Sequence, residues 1–219
     1  MPEDSPPNLS LMRYDKKSKF LYLDYETYNL CLHRDFNAPW QAGLMMVQNN
    51  QVIDTKEILF NWKGKYEMSA DNPSCSHYSE RIIQEKGMRP KDAFDLIQKK
   101  FKEADYVVGH NLLKFDIFIL KELYALYSAG DYKEWIPKII DTKCLALAIA
   151  LNINKSLNEP LTDFQFRFLN FFTKGLKTNL AYLCKNYDIS VDETKTHNSI
   201  YDLEKNLQIF NKQKYQLDI

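Results

Sequence analysis

Residues Phe20-Leu21-Tyr22-Leu23-Asp24-Tyr25-Glu26-Thr27 constrain this chain more than any other stretch. Large apolar and aromatic side chains of high β-propensity follow one another with no helical spacing, which reads as a buried strand. Two carboxylates interrupt it at positions i and i+2. Strand side chains alternate between faces, so Asp24 and Glu26 project together while Tyr25 projects oppositely and packs behind them. Like charges about 4 Å apart at an effective dielectric near 20 repel by roughly 4 kcal/mol. A divalent cation held between the two acids offsets that cost. A strand end running into solvent also tolerates the pair, and this stretch alone leaves both readings open.

The following residues set the fold class. Gln41 to Val47 is a second apolar run, Asn49-Asn50-Gln51 a turn, and Val52 to Asn61 a third strand. Asn-rich turns between apolar runs mark hairpins, so the first three strands form an antiparallel meander. From about Ser76 the pattern becomes helical. His77 to Lys86 is a short amphipathic piece, and Lys91 to Glu103 places Ala93, Phe94, Leu96, Ile97 and Phe101 largely on one face. Short strands at 105–109 and 139–141 alternate with helices over Lys114–Tyr127 and Thr142–Leu151, which implies parallel crossovers. Further helices are expected over Thr178–Asn186 and Ser199–Lys212. The expected class is α/β: a mixed five-stranded sheet, three antiparallel N-terminal strands and then parallel strands, flanked by helices.

Residues 1–18 read as a flexible, solvated N-terminal tail, 19–213 as a single domain and 214–219 as a frayed C-terminal tail. Within the domain, 153–175 is a long insertion with no regular element. Its alternating Phe164, Phe166 and Phe168, followed by Phe171 and Phe172, pack against the domain or stack on unpaired bases. The four cysteines, Cys31, Cys75, Cys144 and Cys184, show no CxxC pair and read as reduced core residues. With an acidic, proline-rich start and no apolar run of about 20 residues, a cytoplasmic protein without membrane partners is expected. Lysine plus arginine and aspartate plus glutamate balance at 29 each. Neutrality disfavours a long grip on nucleic acid backbone, leaving a small footprint or metal ions that supply the positive charge.

Two further carboxylates stand out. Asp116 is a lone acid at the front of an apolar helix that follows a strand, the sheet edge where α/β folds bind ligands. Asp202 follows His197 by five residues. The two converge only if the helix begins after His197, with Asn198 or Ser199 as its cap. Singly, each has a plain alternative: a helix first-turn acid, a loop histidine, an exposed acid paired with Lys205.

In order, Leu23-Asp24-Tyr25-Glu26-Thr27, then Val108-Gly109-His110-Asn111 through Phe115-Asp116, then His197 to Asp202, the chain resembles the DEDDh (DnaQ-like) 3′–5′ exonuclease superfamily. That superfamily includes the proofreading epsilon subunit of bacterial DNA polymerase III, ribonuclease T and the oligoribonucleases. The likeness covers nearly everything after residue 18, and Ile140-Asp141-Thr142 matches a frequent strand end of the family. The sister DEDDy group carries a tyrosine four residues before the last aspartate. Here that position is Asn198, so His197 makes this the histidine type. Bulky Ile200-Tyr201 and the long 153–175 segment depart from the usual pattern.

The resemblance implies a ribonuclease H-like fold and a metal-dependent exonuclease that releases nucleoside 5′-monophosphates from a free 3′ end, on single-stranded DNA. Asp24, Glu26, Asp116 and Asp202 would hold two Mg²⁺ ions, with Mn²⁺ able to substitute, and His197 would act as general base. Tyr25, Thr27, His110, Asn111 and Phe115, which lie in the same motifs, would contact the substrate. The implied partners are a nucleic acid 3′ end and a polymerase or second copy of the chain. An RNA-processing or oligoribonucleotide exonuclease and a catalytically silent scaffold are the alternatives.

Overall fold

The apolar run around Asp24 becomes the central strand. The computed structural model describes residues 11–30 and 37–219. β1 (Lys19–Thr27) is flanked on one side by β2 (Pro39–Gln48), antiparallel to it, and β3 (Gln51–Leu59) pairs antiparallel with β2. Asn49 and Asn50 both have positive φ, 51° and 59°, and Gln48 pairs with Gln51. That is a two-residue hairpin of the type whose backbone twist matches its strands, in a conformation asparagine tolerates. β3 lies at the sheet edge, which accounts for its largely exposed side chains, Val52 and Ile53 among them.

The chain then turns helical, with α1 (Glu80–Lys86) and α2 (Pro90–Glu103). β4 (Tyr106–Gly109) pairs parallel with the other side of β1, and α3 (Asp116–Tyr127) follows. β5 (Ile139–Asp141) pairs parallel with β4 and leads directly into α4 (Thr142–Ala150). α5 (Leu161–Phe166), α6 (Leu180–Asn186) and α7 (Ser199–Gln213) complete the chain. The sheet order is β3-β2-β1-β4-β5, the mixed five-stranded sheet expected from the sequence.

The alternation of β1 divides the core. Leu21, Leu23 and Tyr25 face α2 and α3, among Phe94, Phe101, Leu120 and Leu123. Phe20 and Tyr22 face α4 and α7, among Leu145, Leu203 and Phe210. Asp24 and Glu26 continue this second, even-numbered face. α7 closes over it because Gly43 lies opposite Asp24 in the β1–β2 register. A Cβ at Gly43 would sit 2.8 Å from Ser199 Oγ and 3.1 Å from Leu203, so only glycine lets the start of α7 reach the sheet.

Three expectations change. Residues 1–10 lie outside the described ones, but 11–18 are not a solvated tail. Met12 is buried and its amide donates to the Ile219 carbonyl at 2.7 Å. The C-terminal residues are likewise docked: Leu217 and Ile219 are buried with Met12 at the margin of the second core cluster, where their apolar side chains leave water. The 153–175 segment contains α5, and its aromatics divide in two. Phe164 and Phe168, one helical turn apart, are buried edge to face at 5.3 Å, while Phe166, Phe171 and Phe172 are exposed. Gln165 is fully buried: its Oε1 accepts from the Asp141 amide and its Nε2 donates to the Ile139 carbonyl, covering the free edge of β5. Cys144 and Cys184 are free and buried, whereas Cys31 and the Cys75 side chain lie outside the described residues. Among the described residues, no helix is long and apolar enough to cross a membrane.

Candidate metal centre

Asp24 and Glu26 come from the last turns of the β1 pleat, and Asp202 from the first turn of α7. One carboxylate oxygen from each lies within 4.8 Å of the other two, although the residues are far apart in sequence. Each acid keeps a partly accessible edge. All three are nevertheless crowded, and crowding like charges away from water opposes ionisation. Burial, then Glu26, Asp116 and Asp202, raises the Asp24 carboxyl well above the usual range. Burial and Asp202 push Glu26 up to about 8, eased by the Ser74 hydroxyl. Burial pushes Asp202 up to about 6, opposed by the His197 amide. A close set of hard oxygen donors whose mutual repulsion is unrelieved by any lysine or arginine among the described residues fits a divalent cation.

Asp116 stands beside this trio. It opens α3 and is buried, with Oδ1 accepting from the Tyr25 amide at 3.0 Å. Its charge bears on both Asp24 and Glu26, and burial pushes its own carboxyl up to about 7. The sheet thus ties Asp116 to β1 through backbone, so the second motif is registered against the first.

The loop that carries Asp116 is held by Asp141, which the sequence marked only as a strand end. Its Oδ1 accepts from the Asn111 amide and its Oδ2 from the Leu113 amide, both at 3.0 Å. The same carboxylate caps α4 by accepting from the Lys143 and Cys144 amides. Asn111 takes the left-handed φ of 65° that this turn requires, and its side-chain oxygen accepts from Lys143 Nζ at 3.1 Å. His110 Nδ1 lies 3.0 Å from Thr142 Oγ1. Burial and then Lys143 press its imidazole down to about 4, so it is neutral at physiological pH.

α7 begins after His197, with Asn198 as its cap. His197 has φ 62°, and its amide donates to Asp202 Oδ2 at 3.2 Å. Its ring lines a cavity of about 860 Å³ together with Asp202, Tyr201 and Asn179. Burial and then His77 lower its pKa. His77 was not anticipated as a site residue. Its Nε2 donates to the Thr196 carbonyl at 2.8 Å across 119 residues of sequence, so it fixes the loop that presents His197. Nearby, the Asn72 side chain donates to the Thr27 carbonyl and accepts from the Ser74 amide, and Trp40 Nε1 donates to Ser74 Oγ. Segment 72–77 therefore braces both the acidic end of β1 and the histidine loop. The only local signal was that His77 is one of four histidines in the chain.

The residues expected to contact the substrate stand in different surroundings. His110 and Asn111 line an open cavity next to the Asp116 loop. Phe115 is partly buried against the first core cluster. Tyr25 and Thr27 are corrections: Tyr25 is 4% and Thr27 2% exposed, and Thr27 Oγ1 donates to the Asn29 carbonyl. Pleating sends both odd-numbered side chains away from the acids.

A scan against protein-family models and a search of curated proteins give no match, so no sequence likeness ties the chain to the epsilon subunit or ribonuclease T in particular. Solved structures do match. E. coli exonuclease I in complex with a dT13 oligonucleotide superposes with a TM-score of 0.67 at 16% identity, over 90% of this chain and 41% of that one. The zinc-bound complex of exonuclease I with single-stranded DNA gives 0.66 at 17% identity, over 89% and 40%. The complex of exonuclease I with SSB-Ct gives 0.67 at 16%, over 91% and 42%. The chain spans about two fifths of the length of these structures. At such identities the likeness is one of fold, and that fold is the ribonuclease H-like one.

Proposed function

We propose that this protein is a divalent-metal-dependent 3′–5′ exonuclease of the DEDDh type that acts on single-stranded DNA and releases nucleoside 5′-monophosphates. The observation that carries this reading is the meeting of Asp24, Glu26 and Asp202 oxygens within 4.8 Å. Asp116 stands beside them and the His197 loop at their rim. Complexes of the fold neighbour exonuclease I with single-stranded oligonucleotides support the choice of substrate.

In this reading Asp24, Glu26, Asp116 and Asp202 hold two Mg²⁺ ions, for which Mn²⁺ substitutes. When bound, the ions supply Lewis-acid charge for the attacking and leaving oxygens of a phosphodiester. His197 accepts the proton of the attacking water. Its lowered pKa keeps the ring neutral, hence ready to do so, at physiological pH. The Asp202–His197 amide bond and the His77–Thr196 bond set where that ring stands. Asp141 holds the His110–Asn111 turn and, through it, Asp116.

The test is a time course on end-labelled single-stranded and duplex DNA and RNA with Mg²⁺, Mn²⁺ or chelator. Shortening of single-stranded DNA from its 3′ end, lost in chelator and in Asp202→Asn, is the expected result. Full activity in chelator or in that variant, or cutting of a circular strand, overturns the assignment. Preference for RNA transfers the reading to an oligoribonucleotide exonuclease.

A further inference from the structure

A second cavity, of about 530 Å³, lies between the turn after β4, the start of α4 and residues 168–179. We propose that this cavity, lined by Lys114, Lys143, Lys177, Phe168, Phe171 and Phe172, binds the unpaired nucleotides of a single strand leading away from the metal centre. The proposal rests on the exonuclease reading for which end of the strand lies at the acids.

Position is the first argument. His110 and Asn111, which line the cavity, belong to the same turn that carries Asp116. Asn179, the cap of α6, lines both this cavity and the larger one that holds His197 and Asp202. The two cavities therefore adjoin at Asn179, so a strand in one can lead toward the other.

Chemistry is the second. Among the described residues none of the three lysines enters a salt bridge, whereas Lys91, Lys100, Lys121 and Lys195 all do. Lys143 Nζ donates to the neutral Asn111 side chain rather than to a carboxylate. Three lysines line the cavity beside one acid, Asp141, whose carboxylate accepts from the Asn111, Leu113, Lys143 and Cys144 amides, so the local balance is positive in a protein with no net charge, the arrangement that backbone phosphates neutralise. The apolar wall is the third. Phe168 is 2% exposed and fixed in the core, while Phe171 is 41% and Phe172 88% exposed. Phenylalanine faces left in water beside lysines suit the faces of nucleobases, each base stacked contributing about 1–3 kcal/mol whatever its identity. Paired bases in a duplex hide those faces, so the wall selects unpaired strands. This also answers how a neutral chain holds its substrate: the cations are local, and stacking adds to them.

The experiment separates this groove from the metal centre. Binding of a labelled short oligothymidylate is measured by fluorescence anisotropy in chelator, where no cleavage occurs. Hydrolysis of the p-nitrophenyl ester of thymidine 5′-monophosphate with Mn²⁺ is measured alongside, since it needs only the metal centre. Phe172→Ala weakens oligothymidylate binding by about 5- to 100-fold. Lys177→Gln lowers the slope of log affinity against log salt by about 0.7. Both variants keep ester hydrolysis, and wild type binds a blunt duplex more weakly than the single strand. Oligouridylate in parallel identifies the sugar the groove accepts. Wild-type failure to bind either strand, unchanged binding in both variants, or equal loss of ester hydrolysis overturns the proposal. Should the ester resist hydrolysis while the binding losses stand, the exonuclease reading falls and the groove survives.

Discussion

Replacing Glu26 by glutamine separates the electrostatics of the acidic cluster from its packing. Burial and Asp202 push that carboxyl from an ordinary 4.5 up to about 8. A raised acid holds its proton in the folded chain after the unfolded chain has released it. Its stabilising contribution is therefore fullest at low pH and is lost as pH rises from the unfolded value through the folded one. At about 1.4 kcal/mol per pH unit, Glu26 alone withdraws roughly 2 kcal/mol of metal-free stability between about pH 5.5 and pH 7, with more lost toward about pH 8. Asp24, Asp116 and Asp202 are shifted in the same direction and add to the loss. Urea unfolding in chelator at the two ends of this range is the assay. Wild type should be less stable at the higher pH by at least ~2 kcal/mol, and Glu26→Gln should lose less by a similar amount. Mn²⁺ should restore wild type at high pH far more than the variant. Chelated wild-type stability that is flat or rising over the interval would refute the reasoning.

Three other outcomes follow from the same geometry. His197→Ala should lower the exonuclease rate by about 10²–10⁴ while Mn²⁺ binding changes little, and the acidic limb of the wild-type rate profile should fall below the ordinary histidine value. In His77→Ala the loss of the bond to Thr196 should lower kcat about five- to tenfold, some 1 kcal/mol, with KM nearly unchanged. His77→Gln, able to donate to the same carbonyl, should recover most of it, and equal loss in both variants would remove the positioning role. Gly43→Val should force α7 off the sheet, costing about 1–3 kcal/mol in urea unfolding and weakening Mn²⁺ binding, because Ser199 and Leu203 already occupy the space its side chain needs.

Local pattern carried most of the sheet and the outline of the site. β1 was legible because its residues are buried on both faces and its acids break the run at strand spacing. The helix start after His197 followed from cap chemistry at Asn198. What the sequence hid depends on partners distant along the chain. Phe164, Phe166 and Phe168 alternate like a strand, yet Gln165 is held by the backbone of β5, and α5 with the turn that follows it brings Phe164 and Phe168 together. Met12 and Ile219 carry no local mark of their mutual contact. His77 reads as an ordinary helix lead-in until Thr196 is beside it. Tyr25 and Thr27 were grouped with the substrate because they adjoin the acids in sequence, although alternation alone sends their side chains elsewhere.

The central claim is that strand β1 and helix α7 together build a divalent-metal site. A crystal of the protein soaked in Mn²⁺, with anomalous scattering recorded, tests it most directly. The expected result is an anomalous peak bonded to the carboxylates of Asp24, Glu26 and Asp202, and a second beside Asp116 when a nucleotide is present. Mn²⁺ bound only elsewhere, with these carboxylates free of metal, would contradict the account.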